Sequence, residues 1–147
     1  MANSVCDVLL TQMRLRNAAA TTEDVDLSAG AIVDFWGVVR ELEDEREIEG
    51  IDYEAHGAMA EHQLSIIAKE AAARFELRRV VIRHRVGFVE VGEASLFVQV
   101  TAAHRTAAFE ASKWIVDELK RKVPIWKHPR FLRPHQRSAS QSEAATV

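Results

Sequence analysis

The sequence predicts a single α+β domain in which two main helices pack on an antiparallel or mixed sheet. Three observations carry that reading: two stretches with apolar residues at three- and four-residue spacing, several short β-branched runs, and a glycine-bearing link that lets two of those runs pair locally. A doubly wound sheet would instead alternate strands and helices regularly. The 147 residues suit one core, expected to span 1–132; the tail 133–147, RPHQRSASQSEAATV after Leu132, is too poor in apolar residues to pack and is expected to be disordered.

Taken in order, residues 5–14, VCDVLLTQMR, are rich in apolar and β-branched types and read as a strand, and the small polar segment Asn17 to Ser28 as a loop or short helix. Ala31, Val33, Phe35 and Gly37 alternate with Ile32, Asp34 and Trp36, a period of two that predicts a strand ending near Arg40. Glu41 to Glu49, ELEDEREIE, is acidic at six of nine positions and reads as a solvated, mobile turn. Ile51, Tyr53 and Ala55 alternate again and bring a strand back from it.

A helix follows, because Ala60, Leu64, Ile67, Ala68, Ala71 and Phe75 recur at helical spacing with Glu61, His62, Lys69, Glu70 and Arg74 between them. Arg79 to Val86 and Ala94 to Ala103 are both β-branched-rich and are joined by Gly87 to Glu93, whose two glycines suit the turn of an antiparallel pair. His104 to Arg121 is the second helix, with an apolar stripe of Ala108, Phe109, Ser112, Ile115, Val116 and Leu119; Val123-Pro124 ends it, and Pro124 to Phe131 is expected to be extended.

Composition narrows the function classes. Apolar residues make up 48% and charged residues 28%, ordinary for a soluble globular chain, and the net charge of −3 leaves no general basic field for nucleic acid. Apolar runs are broken well short of the roughly 18 residues that span a bilayer. The start MANSVCDVLL has neither the basic region nor the long apolar region of a signal peptide, so a cytoplasmic protein is expected. Cys6 is the one cysteine, which rules out an internal disulfide or a multi-cysteine metal site; with no cation flanking it in sequence, it reads as a small packed thiol.

The candidate chemistry is cationic. On a helical wheel Arg105, Lys113 and Lys120 fall within roughly 40° of Phe109, bordering the predicted stripe. Such side chains commonly snorkel into water. Their neighbours argue for more: His104-Arg105 opens the helix, where free N–H groups and the dipole favour a phosphate, and Lys127 follows Lys120 by seven residues. Arg105 and Lys120 are fifteen residues apart, about 22 Å of helical rise. One small ligand cannot touch both ends of one helix, so the geometry favours a homodimer whose sites straddle the interface.

HRTAAFEA, a helix ending in Leu119-Lys120, and then PIWK resemble the signature of the molybdopterin synthase large-subunit family; GAIVDFWGVVR and HRVGFVEVGE are similar to two more of its blocks. The resemblance runs from about Gly30 to Lys127. It implies the family's hammerhead-like α/β fold and a sulfurtransferase acting on cyclic pyranopterin monophosphate to make molybdopterin. It implies no cofactor and no metal. Sulfur would arrive on a small ubiquitin-like subunit whose C-terminal Gly-Gly ends in a thiocarboxylate, the two chains forming a heterotetramer around a homodimer of the large subunit.

By the same resemblance, Arg40, His104 and Arg105 would hold the substrate phosphate and leave the pterin near Lys120 and Lys127. Val38 and Val39 before Arg40, and His128 and Pro129 after Lys127, complete the implied substrate contacts, with Phe35 lining the pocket. A lysine held beside other cations and an apolar wall gives up its proton more readily than a free one. Lys120 is the first choice for acid/base work, and Lys127 for binding substrate or steadying the thiocarboxylate. Two departures stand out: the family usually has a basic residue and then a glutamate where this chain has His128-Pro129, and a glycine in the loop where Glu41 to Glu49 has none. The alternative is therefore a paralogue that binds an anion or partner without turnover.

Overall fold

The computed structural model describes residues 4–15 and 26–133. Most of the segment expected to loop between the first two strands, and the tail from 134 onward, lie outside the described residues. In chain order the elements are β1 (Val5–Thr11), β2 (Ala31–Val38), β3 (Leu42–Glu43), β4 (Arg46–Ala55), α1 (Gly57–Arg74), β5 (Arg79–Arg85), β6 (Gly87–Glu90), β7 (Ala94–Ala102), α2 (Arg105–Lys122) and β8 (Ile125–Phe131).

One sheet has the order β1-β5-β7-β2, with β1 parallel to β5 and the other pairs antiparallel. In the second sheet β4 pairs antiparallel with β3, β6 and β8. The α+β expectation holds, and the mixed character comes from β1.

Both helices cover one face of the first sheet. The repeat expected over Ala60 to Ala71 is the buried face of α1, and it meets Ala108, Ala111, Ile115 and Leu119 of α2 over Val80, Ile82, Val98 and Val100. Each fully buried Leu or Ile here contributes about 1.5–3 kcal/mol. A smaller cluster, Val39, Ile48, Ile51, Tyr53 and Val89, holds the second sheet together. Among the described residues no helix is long and apolar enough to cross a membrane.

Three expectations need correction. The acidic stretch is mostly exposed and turns at Asp44-Glu45, as expected, but it is a paired hairpin and not an open loop: Leu42-Glu43 pairs with Arg46-Glu47 across a two-residue turn, and Asp44 and Glu45 adopt φ values of 51° and 63°. This is the positive-φ turn that matches the twist of a tight hairpin, formed here without glycine. Ile48, 2% exposed, is the anchor that the surrounding charges obscure. The link Gly87 to Glu93 is more than a turn, because β6 leaves the first sheet to pair with β4 before the chain returns as β7. Finally, Phe109 is 62% exposed, and the buried face of α2 uses Ala111 in its place.

Gly50 marks the closest approach in the second sheet. A Cβ there would lie 2.5 Å from the Val89 carbonyl oxygen and 2.5 Å from two carbons of the Phe88 ring. Because the backbone oxygen cannot step aside, Gly50→Ala is expected to cost about 1–3 kcal/mol. Calorimetry should find the unfolding midpoint lowered by roughly 3–10 °C.

Candidate active site

Three chain segments converge beside the end of α2. Lys120 lies in its last turn with Arg121 and Lys122, where the free carbonyls and negative dipole end favour cations. Val123 caps the helix and Pro124 turns the chain, its carbonyl accepting from the His56 N–H at 3.2 Å. That contact starts β8 alongside β4, in register Tyr53↔Lys127. Lys127 thus returns to the place where Lys120 left the helix.

The third segment is the end of β2. Its ladder with β7 shifts between Gly37 and Val38, an irregularity of the kind that re-aims side chains beside functional sites. Val39 then turns into the second core cluster, 3% exposed, with its N–H on the Glu93 carbonyl at 3.0 Å and its carbonyl accepting from Gly92 at 2.9 Å. Held on both sides by Val39, the backbone delivers Val38 and Arg40 to the wall of the same hollow.

The result is a cavity of about 600 Å³ lined by Phe35, Val38, Arg40, Lys120 and Lys127, with Gly37, Tyr53, His84, Ser95, Leu96, Leu119, Val123 and Ile125. Five residues singled out from the sequence, drawn from β2 and the segment after it, α2 and β8, therefore meet. The other five do not line this cavity. Val39 packs inward. His104 is the N-cap residue of α2 and Arg105 its first residue; both are exposed and stand at the far end from Lys120. His128 is exposed, with Nε2 2.9 Å from Glu54 Oε2, and Pro129 sits opposite Ile51 in the ladder. Lys113, which shares their side of the wheel, is exposed and paired with Asp117 at 2.8 Å.

Sequence reasoning assigns no role to Tyr53, His84 or Ser95. His84 opens the HRVGFVEVGE block, so a signal is available; Tyr53 and Ser95 read only as strand residues. His84 is 5% exposed, and burial pushes its pKa below the usual imidazole value against the raising effect of the Arg85 carbonyl. Cys6 is half-buried, well away in β1, and burial pushes its thiol pKa up, which suits an inert packing role. Among the described residues no group of three or more His, Cys, Asp and Glu is placed to hold a metal ion.

One contact comes from the acidic hairpin. Glu43 Oε1 lies 3.6 Å from Lys127 Nζ, with the lysine side chain about half exposed. Such a pair is worth about 0.2–1 kcal/mol. Since an incoming anion must compete with this carboxylate, Glu43→Gln is expected to tighten inorganic phosphate binding by about two- to five-fold at low salt. Titration calorimetry at two salt concentrations checks both the gain and its loss on screening.

The family model described as MoaE protein matches residues 10–122. The chain belongs to the MoaE family. A relative named molybdopterin synthase catalytic subunit, from Oryza sativa subsp. indica, is 48% identical over 102 residues, which are 69% of this chain and 53% of the rice protein. This MoaE chain thus spans about half the length of the rice relative that it matches. Its fold is similar to the crystal structure of molybdopterin synthase from Staphylococcus aureus, with a TM-score of 0.77 at 27% identity, covering 84% of this chain and 90% of that one. A complex of subunits 1 and 2 of molybdopterin-converting factor from Helicobacter pylori 26695 matches with a TM-score of 0.68 over 92% of this chain and 93% of that one; at 22% identity this likeness concerns the MoaE fold alone.

Proposed function

We propose that this chain is the catalytic subunit of a molybdopterin synthase, a sulfurtransferase that moves sulfur from a thiocarboxylated small subunit to cyclic pyranopterin monophosphate. The observation that carries the reading is the convergence of Arg40, Lys120 and Lys127 on one cavity, lined on its other sides by Phe35, Val38, Leu96 and Ile125. Three cations in a hollow with apolar walls suit an anionic substrate and stabilise negative charge that develops during reaction. Lys120 is the proton-transfer group, and Lys127 binds the substrate or the thiocarboxylate. The Gly-Gly tail of the small subunit is the sulfur donor, which agrees with a cavity that has no cysteine among its lining residues.

His104 and Arg105 enter from a second copy. They lie at the start of an 18-residue helix whose last turn holds Lys120, and His104 makes no side-chain capping bond, so its imidazole is available. Phe109, exposed on the same helix, supplies apolar surface for such an interface. Val38, Val39, His128 and Pro129 are proposed to shape the substrate's surroundings through the backbone and the edge of β8. The proposed assembly is a homodimer of this chain carrying a small subunit on each copy. The test is reconstitution: purified chain, thiocarboxylated small subunit and pterin precursor should yield molybdopterin. Binding of precursor without product would favour the non-catalytic paralogue, for which His128-Pro129 is the supporting departure.

A further inference from the structure

The hydrogen atoms around the cavity divide it into two chemically opposite halves. Arg40, Lys120 and Lys127 offer donors only. The side formed by Tyr53, His84 and Ser95 is built the other way, because each of its protons is already committed. His84 Nδ1 lies 2.7 Å from the Arg85 carbonyl oxygen; a carbonyl can only accept, so Nδ1 carries the ring proton. Ser95 Oγ donates to the Gly37 carbonyl at 3.4 Å, which leaves that oxygen to accept the Tyr53 hydroxyl at 3.2 Å. What remains toward the cavity is lone pairs.

Of these, His84 Nε2 is the best presented. Tyr53 packs edge-on against the imidazole, with centroids 5.3 Å apart and planes at 74°, and so fixes the ring. Nε2 has no hydrogen-bond partner among the described residues, yet it is not one of the sealed orphan atoms there, which are Arg79 Nε and Arg85 Nε. It thus keeps some accessible surface, and His84 lines the cavity. Burial disfavours an imidazolium and outweighs the raising effect of the Arg85 carbonyl, keeping Nε2 an acceptor.

We propose that His84 is a substrate-binding residue whose Nε2 accepts a hydrogen bond from a ring or exocyclic N–H of a heterocycle, while the cations opposite hold that molecule's anionic group. The inference rests on the proposed function and deepens it: the ligand must be anionic at one end and an N–H donor at the other. Inorganic phosphate, a small anion with no N–H, serves as the probe of the cationic half alone.

Two variants separate this role from a structural one. His84→Asn keeps an amide N–H near the Arg85 carbonyl but removes the acceptor at Nε2; His84→Gln can bring an amide oxygen to that position. Each full-length variant, with the thiocarboxylated small subunit, is assayed for KM and kcat with the pterin precursor, and for phosphate affinity by calorimetry. The expected result is a KM raised by about ten-fold in His84→Asn, largely restored in His84→Gln, with phosphate affinity unchanged in both, as for one lost neutral hydrogen bond. An unchanged KM in His84→Asn overturns the assignment while leaving the proposed function standing. So does an equal loss of precursor and phosphate binding in both variants, which would mark a structural role. A wild-type chain that makes no product overturns the function itself, and the inference with it.

Discussion

Lys120→Ala is expected to lower molybdopterin formation by roughly 10²- to 10⁴-fold, the usual contribution of a positioned acid or base. The fold should survive. Lys120 is exposed, and the interior beneath it is made by Leu119, Ile115 and Val123, whose side chains the substitution does not touch. A surface change of this kind typically moves stability by no more than about 0.5 kcal/mol. Single-turnover assays with saturating precursor and thiocarboxylated small subunit should therefore show a lost rate beside an unchanged thermal midpoint. Lys120→Arg is the informative companion: it keeps the positive charge but cannot release a proton near neutral pH. If Arg restores most of the rate, Lys120 is an electrostatic group and its acid/base assignment falls.

Lys120 is proposed from the sequence through its resemblance to a family motif, and the helix that carries it is legible for a geometric reason. The two helices carry long apolar repeats, so their buried faces follow from spacing, and Ala60, Leu64, Ile67, Ile115 and Leu119 are all in the main core. Lys120 and Lys127 can each be named from their motifs, but their meeting depends on β8 pairing with β4, a contact between residues 74 apart in the case of His128 and Glu54. Nothing local encodes that pairing. The same limit hides β6, whose four residues read as part of a link because their partner strand lies far back in the chain. The acidic hairpin escapes sequence reasoning for a different reason: charge density suggests solvent, whereas the buried side chain of Ile48 decides the structure. Phe109 shows the converse error. Hydrophobicity places it in the stripe, yet the buried residues Ala108, Ala111, Ser112, Ile115, Val116 and Leu119 centre on a face about 90° away around the helix, and Phe109 is exposed.

Mixing two inactive variants is expected to regenerate activity. Arg105 begins α2 and Lys120 lies in its last turn, so a substrate that needs both must take them from different copies of the chain. Arg105→Ala and Lys120→Ala homodimers would then each lack one group at both of their sites. After subunit exchange, half of the dimers pair one variant with the other, and each mixed dimer holds one site with both groups and one with neither. Equal mixtures should reach about a quarter of the wild-type rate, against nearly none for either parent alone. The readout is molybdopterin formed per total chain, followed as exchange proceeds and compared with the same variants assayed before mixing. Recovery demands that each copy lend the residue the other has lost, whereas two residues serving a site within one chain would give no gain at any ratio. A flat response would place Arg105 outside the reaction site or confine the site to one chain. A rise toward one quarter would explain why the cavity beside Lys120 and Lys127 is lined by Arg40 but by neither His104 nor Arg105 of its own chain.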